Sequence, residues 1–532
     1  MKKLLLFLSF ILLIPTVSLS DTSNKYTSKD TLTYVNFRDI RDLNPHLYGG
    51  ELYAQNLLYE GLVKIAEDGS LQPWLASSWK LSKDNSTYVF KLREDVTFND
   101  GEKFNAKAAA ANLNAILDNY KRHSWLESMK LMKAVLDSGV KPIEATGEYE
   151  LTIRLGKAYY PLLAELGMTR PFRFISPKAF KNGGTKDGVS KLSGTGSYML
   201  AENHIDQYAV FTVNPNYWGV KPSIKNVIVK VIPDNQTRIL ALKNDEIDLI
   251  YGANMIDAQT IDQFKQTPGF KVTMSQPVSS RMLMLNTANG VLKDVNVRYA
   301  LSHAINKVAV SKGLFNGIEM PADTLLAKNI PYANIDLKPY SYDVEKSKKI
   351  LKEAGWIKTA NSKYRSKEGK ELAITFNYDS NKVTDKSIAE YLQQELGKIG
   401  VKIKILGEEK QSFQDRQKSG EFQIMTGYTW GTPYDPQSFM SSMTASVHGD
   451  YMAQLGLKEK SKIDETILKI FATSNEKERQ KYYEYVLRTL HEKAVYIPLT
   501  YSRNISINSE RIKNVKFNNS KYEVPIEKMN IK

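Results

Sequence analysis

The chain has 532 residues, with 73 lysines and arginines against 58 aspartates and glutamates, and no cysteine. At about 150 residues per domain, this length predicts roughly two to four domains. The absence of cysteine excludes disulfides, thiolate metal sites and cysteine nucleophiles, so a metal would need oxygen, one of the six histidines, or ligands carried by another molecule. The net charge of +15 does not indicate a nucleic-acid binder, because the lysines alternate with acidic residues and form no basic block.

Residues 1–20 predict a cleavable secretory signal. Lys2 and Lys3 precede an apolar run over residues 4–14, and Ser18 and Ser20 supply the small residues of a cleavage site. The apolar run is shorter than the roughly 20 residues that a membrane span needs. A lipid anchor would require a cysteine at the cleavage point, so we expect a soluble exported protein that is not a lipoprotein.

The hydrophobic pattern then predicts an α/β protein without internal repeats. Predicted strands cover residues 31–35, 88–92 with 96–98 as a hairpin, 150–154, 209–213, 226–232, 372–376, 401–405 and 498–502. An extended segment covers residues 270–285, with a turn-like break at 275–277. Predicted helices cover residues 106–117 after an Asn105 cap, 295–305, 384–399, 476–493, and a segment from the Asp343 cap to Gly355.

Enzyme signatures are missing from this pattern. The chain contains no Gly-x-Ser-x-Gly elbow, no His-Glu-x-x-His pair and no P-loop. Gly194 and Gly196 lack the third glycine of a dinucleotide-binding loop, so we interpret them as part of a tight turn. We therefore do not expect an enzyme.

Several segments instead resemble one known family. They are LREDVTFNDGEKFN at 92–105, GTGSY at 194–198, NPNYWG at 214–219, VRYA at 297–300 with AINK at 304–307, and YDVEK at 342–346 with EAGW at 353–356. In this order they resemble the peptide/nickel class of extracytoplasmic solute-binding proteins of ABC importers. The resemblance spans nearly the whole chain after the signal.

The resemblance implies a two-lobed periplasmic-binding-protein fold, with mixed sheets flanked by helices and with hinge strands between the lobes. The implied lobe I consists of residues 21–277 and 500–532, and lobe II of residues 278–499. The implied protein is a periplasmic monomer whose partners are inner-membrane ABC permease subunits and a small-molecule ligand.

Within this class the chain is most similar to nickel-binding members, through LNPHLY at 43–48, RHSWLE at 122–127, RPFRF at 170–174 and TWGTPYDP at 429–436. Carried over position by position, the resemblance implies Arg122 and Arg170 as clamps for ligand carboxylates and His448 as the direct metal ligand. It also implies pocket walls formed by Tyr48, Trp125, Trp430 and Tyr434. Leu52 stands where nickel-binding members carry a methionine, and His46 is a further candidate for contact with the metal.

The chemistry of these residues is compatible with that implication. A single imidazole holds Ni²⁺ weakly, but it can complete a chelate formed by another molecule, such as two free histidines. Arginine forks bind carboxylates bidentately. Taken alone, a histidine on such a loop is ordinarily solvent-exposed. The arginines could instead form surface or interlobe salt bridges, and the tryptophans could pack in a core.

The sequence therefore predicts a receptor that captures Ni²⁺, as a chelate with a small carboxylate-bearing metallophore, in the interlobe cleft and delivers it to an ABC permease. Two alternatives stay open: a dipeptide or oligopeptide receptor of the same fold, and an exported heme-binding or chaperone-like module. Peptide binders of the class carry an aspartate three residues after the tryptophan that matches Trp430. Here that position is Pro433, which cannot pair with a peptide amino group.

Overall fold

The structure of the chain is a computed structural model that describes residues 26–27, 29–47, 49–120, 135, 141–253, 255–518 and 520–532. The strands are β1 Thr31–Asn36, β2 Val63–Ile65, β3 Leu71–Pro73, β4 Ala76–Leu81, β5 Thr87–Leu92, β6 Ile143–Ala145, β7 Glu150–Arg154, β8 Phe180–Lys181, β9 Gly184–Val189, β10 Tyr198–His204, β11 Tyr208–Val213 and β12 Asn226–Val231. They continue with β13 Leu249–Gly252, β14 Phe270–Leu285, β15 Met320–Pro321, β16 Ser366–Lys367, β17 Lys370–Glu371, β18 Ala373–Asp379, β19 Lys402–Glu408, β20 Ile424–Tyr428, β21 Tyr496–Ser509, β22 Ile512–Lys513 and β23 Asn530–Ile531.

Helices alternate with these strands through most of the chain. They are α1 Leu52–Leu58, α2 Ala106–Tyr120, α3 Leu162–Gly167, α4 Asn235–Lys243, α5 Ala258–Gln266, α6 Val295–Ala304, α7 Lys307–Phe315, α8 Val344–Glu353, α9 Val383–Lys398, α10 Lys410–Ser419, α11 Gln437–Ser442, α12 Gly449–Gln454, α13 Lys460–Ala472 and α14 Glu476–Glu492. Among the described residues, no helix is long and apolar enough to cross a membrane.

One large mixed sheet organises the molecule, in the order β10-β11-β12-β1-β13-β21-β14-β20-β18-β19, with β15 paired to β21. At one end β1 runs parallel to β12 and β13, and at the other end β18 runs parallel to β19 and β20. Between the two ends lies the antiparallel pair β14 and β21. Parallel strands that alternate with helices are typical of α/β folds, as the sequence predicted.

Each end of the sheet has its own core, and we refer to the two halves as lobe I and lobe II. The core of lobe I contains Leu32 and Val227 together with Ile512 from the C-terminal part of the chain. The core of lobe II contains Phe376 and Ile424. A separate four-stranded sheet, β4-β5-β7-β6, packs with α2 and extends lobe I.

Local signals in the sequence account for several element boundaries. The Asn105 side chain accepts a hydrogen bond from the Ala108 N–H at 3.0 Å, which satisfies a free donor at the start of α2. The Asp343 side chain caps α8 in the same way, at 2.8 Å from the Lys346 nitrogen. Gly355 follows that helix with a φ of 84°, a backbone conformation that favours glycine.

Two sequence predictions about elements were wrong in detail. Strand β5 does not form a hairpin with residues 96–98; it pairs with β4 and β7, and Thr97 forms an isolated bridge with Lys103. The predicted break at 275–277 is a register shift inside the continuous strand β14, because the partner β21 extends far beyond residues 498–502 and pairs on both sides of the irregularity.

The ends of the parallel strands position the candidate site. In open α/β sheets, ligands bind beyond the carboxyl ends of the strands, where loops supply the contacts. In lobe II, β20 ends at Tyr428 and leads directly into the segment that carries Trp430 and Tyr434.

Candidate ligand-binding cleft

The structure describes some of the predicted site residues and not others. The described ones are Arg170, Trp430, Tyr434, His448, His46 and Leu52. The predicted residues Tyr48, Arg122 and Trp125 lie outside the described residues, so their roles stay predictions.

Residues 429–435, which we call the wall loop, lie between β20 and α11 and carry two of the predicted pocket residues, Trp430 and Tyr434. The Thr429 N–H donates to the Ser280 carbonyl at 2.9 Å, and the Thr432 N–H donates to the Val278 carbonyl at 2.9 Å. These bonds attach the loop to β14, beside the crossing between the lobes. Trp430 and Tyr434 remain half-buried on this fixed backbone, and such half-buried rings are available to form a pocket wall.

His448 lies next to Trp430. The two rings are 5.7 Å apart, centroid to centroid, and are tilted by 54°. His448 directly precedes α12, and its side chain does not cap that helix. The fold therefore brings the predicted metal ligand and one predicted wall together, although 17 residues separate them in the sequence.

Arg170 approaches the same wall from lobe I. Its Nη1 donates to the Gly50 carbonyl at 3.2 Å, and the residue remains half-buried. Burial raises the pKa of Tyr434, and the positive charge of Arg170 opposes that rise. Arg170 of lobe I and Tyr434 of lobe II therefore interact electrostatically.

The neighbouring Arg173 has a different role. The residue is 2% exposed, and its guanidinium donates to the Met168 carbonyl at 2.8 Å and to the Asn56 side chain at 3.2 Å. Burial lowers the pKa of Arg173 to about 10. Arg173 therefore fixes the loop that carries Arg170, and it holds that loop from behind the cleft.

Sequence reasoning missed Tyr522 and Lys521, which reach the wall loop from lobe I. The Tyr522 hydroxyl donates to the Trp430 carbonyl at 3.0 Å, and its ring lies edge-on to Tyr434 with centroids 6.1 Å apart. The Lys521 N–H donates to the Thr432 carbonyl at 2.9 Å. No local pattern in the polar C-terminal segment indicated these contacts.

His46 does not fit the role of a metal contact and is a correction to the sequence analysis. It is fully buried; its Nδ1 lies 2.9 Å from the Thr185 hydroxyl and its Nε2 lies 3.1 Å from the Arg173 carbonyl. Burial lowers the pKa of His46 to about 3. With both ring nitrogens engaged in the core, the imidazole has no lone pair directed at the cleft.

Leu52 is the first residue of α1 and is buried, with 7% of its surface exposed. It lies two residues after Gly50, whose carbonyl accepts the hydrogen bond from Arg170. Leu52 therefore lies close in sequence to the backbone that contacts the predicted clamp, and its place as a pocket contact stays a prediction.

A polar cavity of about 430 Å³ lies in lobe I, next to the cleft but separate from the Trp430 and His448 pair. Its buried carboxylate is Glu60, which accepts hydrogen bonds from Trp74, Thr195, Tyr217 and Trp218 at 2.7 to 3.0 Å. Burial raises the pKa of Glu60 to about 7, while these four donors lower it. Glu60 therefore joins the segments of lobe I that carry these four donors.

The described residues contain no group of three or more histidines, aspartates or glutamates with the spacing of a metal site.

Comparison with known proteins supports the fold and the class. Residues 70–451 match the family model described as "Bacterial extracellular solute-binding proteins, family 5 Middle". The chain belongs to this family of solute-binding proteins. The match covers most of this solute-binding protein, in agreement with the class predicted from the sequence.

Curated relatives of this solute-binding protein match it along almost its whole length. The nickel-binding periplasmic protein of Escherichia coli (strain K12) is 42% identical over 493 residues, 92% of this chain and 93% of that protein. Heme-binding protein A of Haemophilus influenzae is 26% identical, covering 93% and 91% of the two chains. The dipeptide-binding protein of Escherichia coli (strain K12) is 27% identical, covering 89% of each.

Solved structures give the same picture of the fold. NikA from Brucella suis in complex with Fe(III)-EDTA matches with a TM-score of 0.89 and 43% identity, covering 94% of this chain and 100% of that chain. NikZ from Campylobacter jejuni in complex with Ni(L-His) matches with a TM-score of 0.75 and 27% identity, covering 95% and 100%. The predicted two-lobed fold of this solute-binding protein is thus confirmed.

Proposed function

We propose that this solute-binding protein captures Ni²⁺ as a chelate with a small carboxylate-bearing molecule, such as free histidine, and delivers it to an ABC permease. The chelate occupies the space between Arg170 of lobe I and the wall loop of lobe II. His448 supplies one nitrogen ligand to the metal, and Arg170 binds a carboxylate of the chelating molecule. Trp430 and Tyr434 cover its flat faces.

The observation that carries this proposal is the placement of His448 beside Trp430, whose loop also carries Tyr434. One imidazole is a sparse protein site for a divalent metal, since closed sites in proteins use about four ligands. A metal that arrives with its own nitrogen and oxygen ligands needs one more donor, a cation for its carboxylates and aromatic walls. The cleft combines these three features, and similarity to a nickel-binding relative over 92% of the chain supports the choice of metal.

Export, compartment, oligomeric state and partners are part of the same proposal. Residues 1–20 direct export and are removed, and the protein acts in the periplasm as a monomeric receptor without a lipid anchor. It carries out no catalytic step. Its partners are the inner-membrane permease subunits, which receive the chelate when the lobes open.

The lobe boundaries at 277/278 and 499/500 are likewise proposed. Supporting them, Met274 and Ile505 pack with the core of lobe I, whereas Leu283 and Ile497 belong to the core of lobe II. Strands β14 and β21 therefore change lobes between these residues. A pair of strands that crosses together can act as a hinge.

The test is calorimetric titration of the purified mature protein with Ni²⁺ alone, with histidine alone, and with Ni²⁺ plus two equivalents of histidine. We expect tight binding of the mixture only. Replacing His448→Ala removes a metal ligand, and we expect a loss of about 10- to 100-fold in affinity for the chelate.

A matched control is His204→Ala, because His204 is about half exposed on the outer strand β10 and does not contact the cleft. We expect this variant to bind like the wild type. If His448→Ala also binds like the wild type, the metal-ligand assignment is wrong. Peptides seen by native mass spectrometry, or a Soret band on heme titration with no response to nickel, would favour the alternative receptors.

A further inference from the structure

Residues 520–523 of lobe I, which we call the strap, reach across to the wall loop of lobe II. The strap is anchored at both of its ends. The Ser520 carbonyl accepts a hydrogen bond at 3.0 Å from the side chain of Asn504 in β21. The Glu523 carboxylate accepts one at 3.1 Å from Thr169, the residue before the proposed clamp Arg170.

The middle of the strap contacts lobe II. The Lys521 N–H and the Tyr522 hydroxyl donate to the carbonyls of Thr432 and Trp430, at 2.9 Å and 3.0 Å. The Tyr522 ring also packs edge-on against Tyr434. The donors belong to lobe I and the acceptors to lobe II, so these contacts require that the lobes be closed.

The Lys521 side chain adds packing and charge to this junction. A β-carbon added at Gly431 would lie 2.9 Å from Lys521 Cδ, so the lysine stem lies directly on the backbone of the wall loop. The carboxylate of Asp435, which is 4% exposed, accepts a hydrogen bond from the Gly431 N–H at 3.0 Å. Burial opposes both charges, raising the pKa of Asp435 to about 6 and lowering the pKa of Lys521, while each charge favours ionisation of the other.

We propose that the strap couples closure of the lobes to the position of the wall loop, with Tyr522 as the positioning residue. In the closed form Tyr522 holds the Trp430 backbone from the opposite lobe, and Lys521 covers Gly431. The wall is thereby fixed against the ligand, and the ligand leaves only after the strap contacts break. The link to ligand release rests on the proposed function, because it places the ligand between Arg170 and the wall loop.

Two small substitutions test this proposal. Tyr522→Phe removes the hydroxyl and keeps the ring, and Lys521→Met keeps the stem and removes the charge. Tyr342→Phe is the matched control, because its hydroxyl also donates to one acceptor, Glu395 at 3.2 Å, on a surface of lobe II. The dissociation and association rates of the nickel–histidine chelate are measured by stopped-flow tryptophan fluorescence.

For Tyr522→Phe we expect the dissociation rate to rise by about two- to tenfold, the effect of losing one hydrogen bond. The association rate should change by less than about twofold, since the strap contacts form after the encounter. A merely structural role would instead lower the melting temperature of the ligand-free protein without this separation of rates. Unchanged dissociation rates in both variants would overturn the proposal.

A second measurement needs no ligand. The chain has no cysteine, so Ile205→Cys in lobe I and Lys352→Cys in lobe II can carry unique spin labels. We expect the double variant Tyr522→Phe with Lys521→Met to lower the fraction of molecules whose label distance corresponds to the closed form.

If no chelate binds but this fraction falls, the proposed function is wrong and the proposed role of the strap is supported. If the chelate binds and neither the distances nor the dissociation rate change, the strap fails and the proposed function stands. If no chelate binds and the distances do not change, both fail.

Discussion

At the scale of single residues, the environment decides which of two similar side chains serves the cleft. Arg170 and Arg173 belong to the same short motif, yet Arg173 is buried and donates to the Met168 carbonyl, whereas Arg170 remains half-buried beside Tyr434. His46 and His448 differ in the same way. Buried polar groups must find internal partners, and once they have them they are withdrawn from ligand binding.

The buried His46 leads to a prediction about pH. Its folded-state pKa is lowered by burial to about 3, below the ordinary value of 6.5, so the unfolded chain binds the proton more strongly. The stabilisation is complete above pH 6.5 and is lost as the pH falls towards 3. At pH 5 we expect a loss of about 2 kcal/mol relative to pH 8.

Urea unfolding of the wild type and of His46→Gln at pH 8 and pH 5 measures this effect. The variant should be less stable at pH 8, but its further loss at pH 5 should be smaller than that of the wild type by about 2 kcal/mol. His204→Gln, on the exposed edge strand, should follow the wild type. Equal pH dependence in the wild type and His46→Gln would contradict the assignment of His46 as a neutral core histidine.

At the scale of elements, the Gly194 and Gly196 turn shows how a sequence motif can serve packing. A β-carbon at Gly194 would lie 2.0 Å from the Leu58 carbonyl oxygen, and one at Gly196 would lie 2.4 Å from that of Leu57. The turn therefore packs against the backbone at the end of α1. A glycine is needed at each position because only a hydrogen fits there.

We therefore expect Gly194→Ala to lower the free energy of unfolding by about 2 to 4 kcal/mol, because backbone atoms must move to admit the methyl group. Gly397→Ala is the control: Gly397 lies in α9, and a β-carbon there meets no atom within 4 Å. That variant should be neutral or more stable by up to about 1 kcal/mol, from helix propensity. Chemical denaturation compares the two, and similar stabilities would contradict the packing argument.

At the scale of the whole molecule, the lobes also touch at a place distant in sequence from the strap. The Tyr160 N–H donates to the Phe471 carbonyl at 2.8 Å, and its hydroxyl donates to the Glu476 carboxylate at 2.7 Å. The Arg479 guanidinium lies over the Tyr160 ring, 4.5 Å from its centre. Tyr160 follows the four-stranded sheet of lobe I, and its partners belong to α13 and α14 of lobe II.

We expect Tyr160→Ala to open the ligand-free protein, because it removes the cation–π contact and the hydroxyl bond together. Small-angle X-ray scattering should show a larger radius of gyration, and ligand dissociation should accelerate by about tenfold. Tyr208→Ala, on strand β11 near the lobe I edge of the large sheet, is the control and should change neither quantity. An unchanged radius and rate in Tyr160→Ala would show that this contact does not affect closure.

The sequence by itself determined the family, the α/β class, several of the longer strands and helices, and the helix caps at Asn105 and Asp343. These features depend on local periodicity and on contacts within a few residues, which a sequence records directly. It also indicated Arg170, Trp430, Tyr434 and His448, but only through resemblance to a known class.

Only the tertiary structure decided which of these residues meet and which other residues join them. Tyr522 and Trp430 are 92 residues apart, and the Thr169 to Glu523 bond joins residues 354 apart. The sequence predicted the irregularity in β14. That the strand continues through it depends on pairing with the distant strand β21. Such contacts arise from the packing of segments that are far apart in the chain. The same packing buries His46 and Arg173 and so withdraws them from the cleft. Burial of this kind is not a property of local sequence.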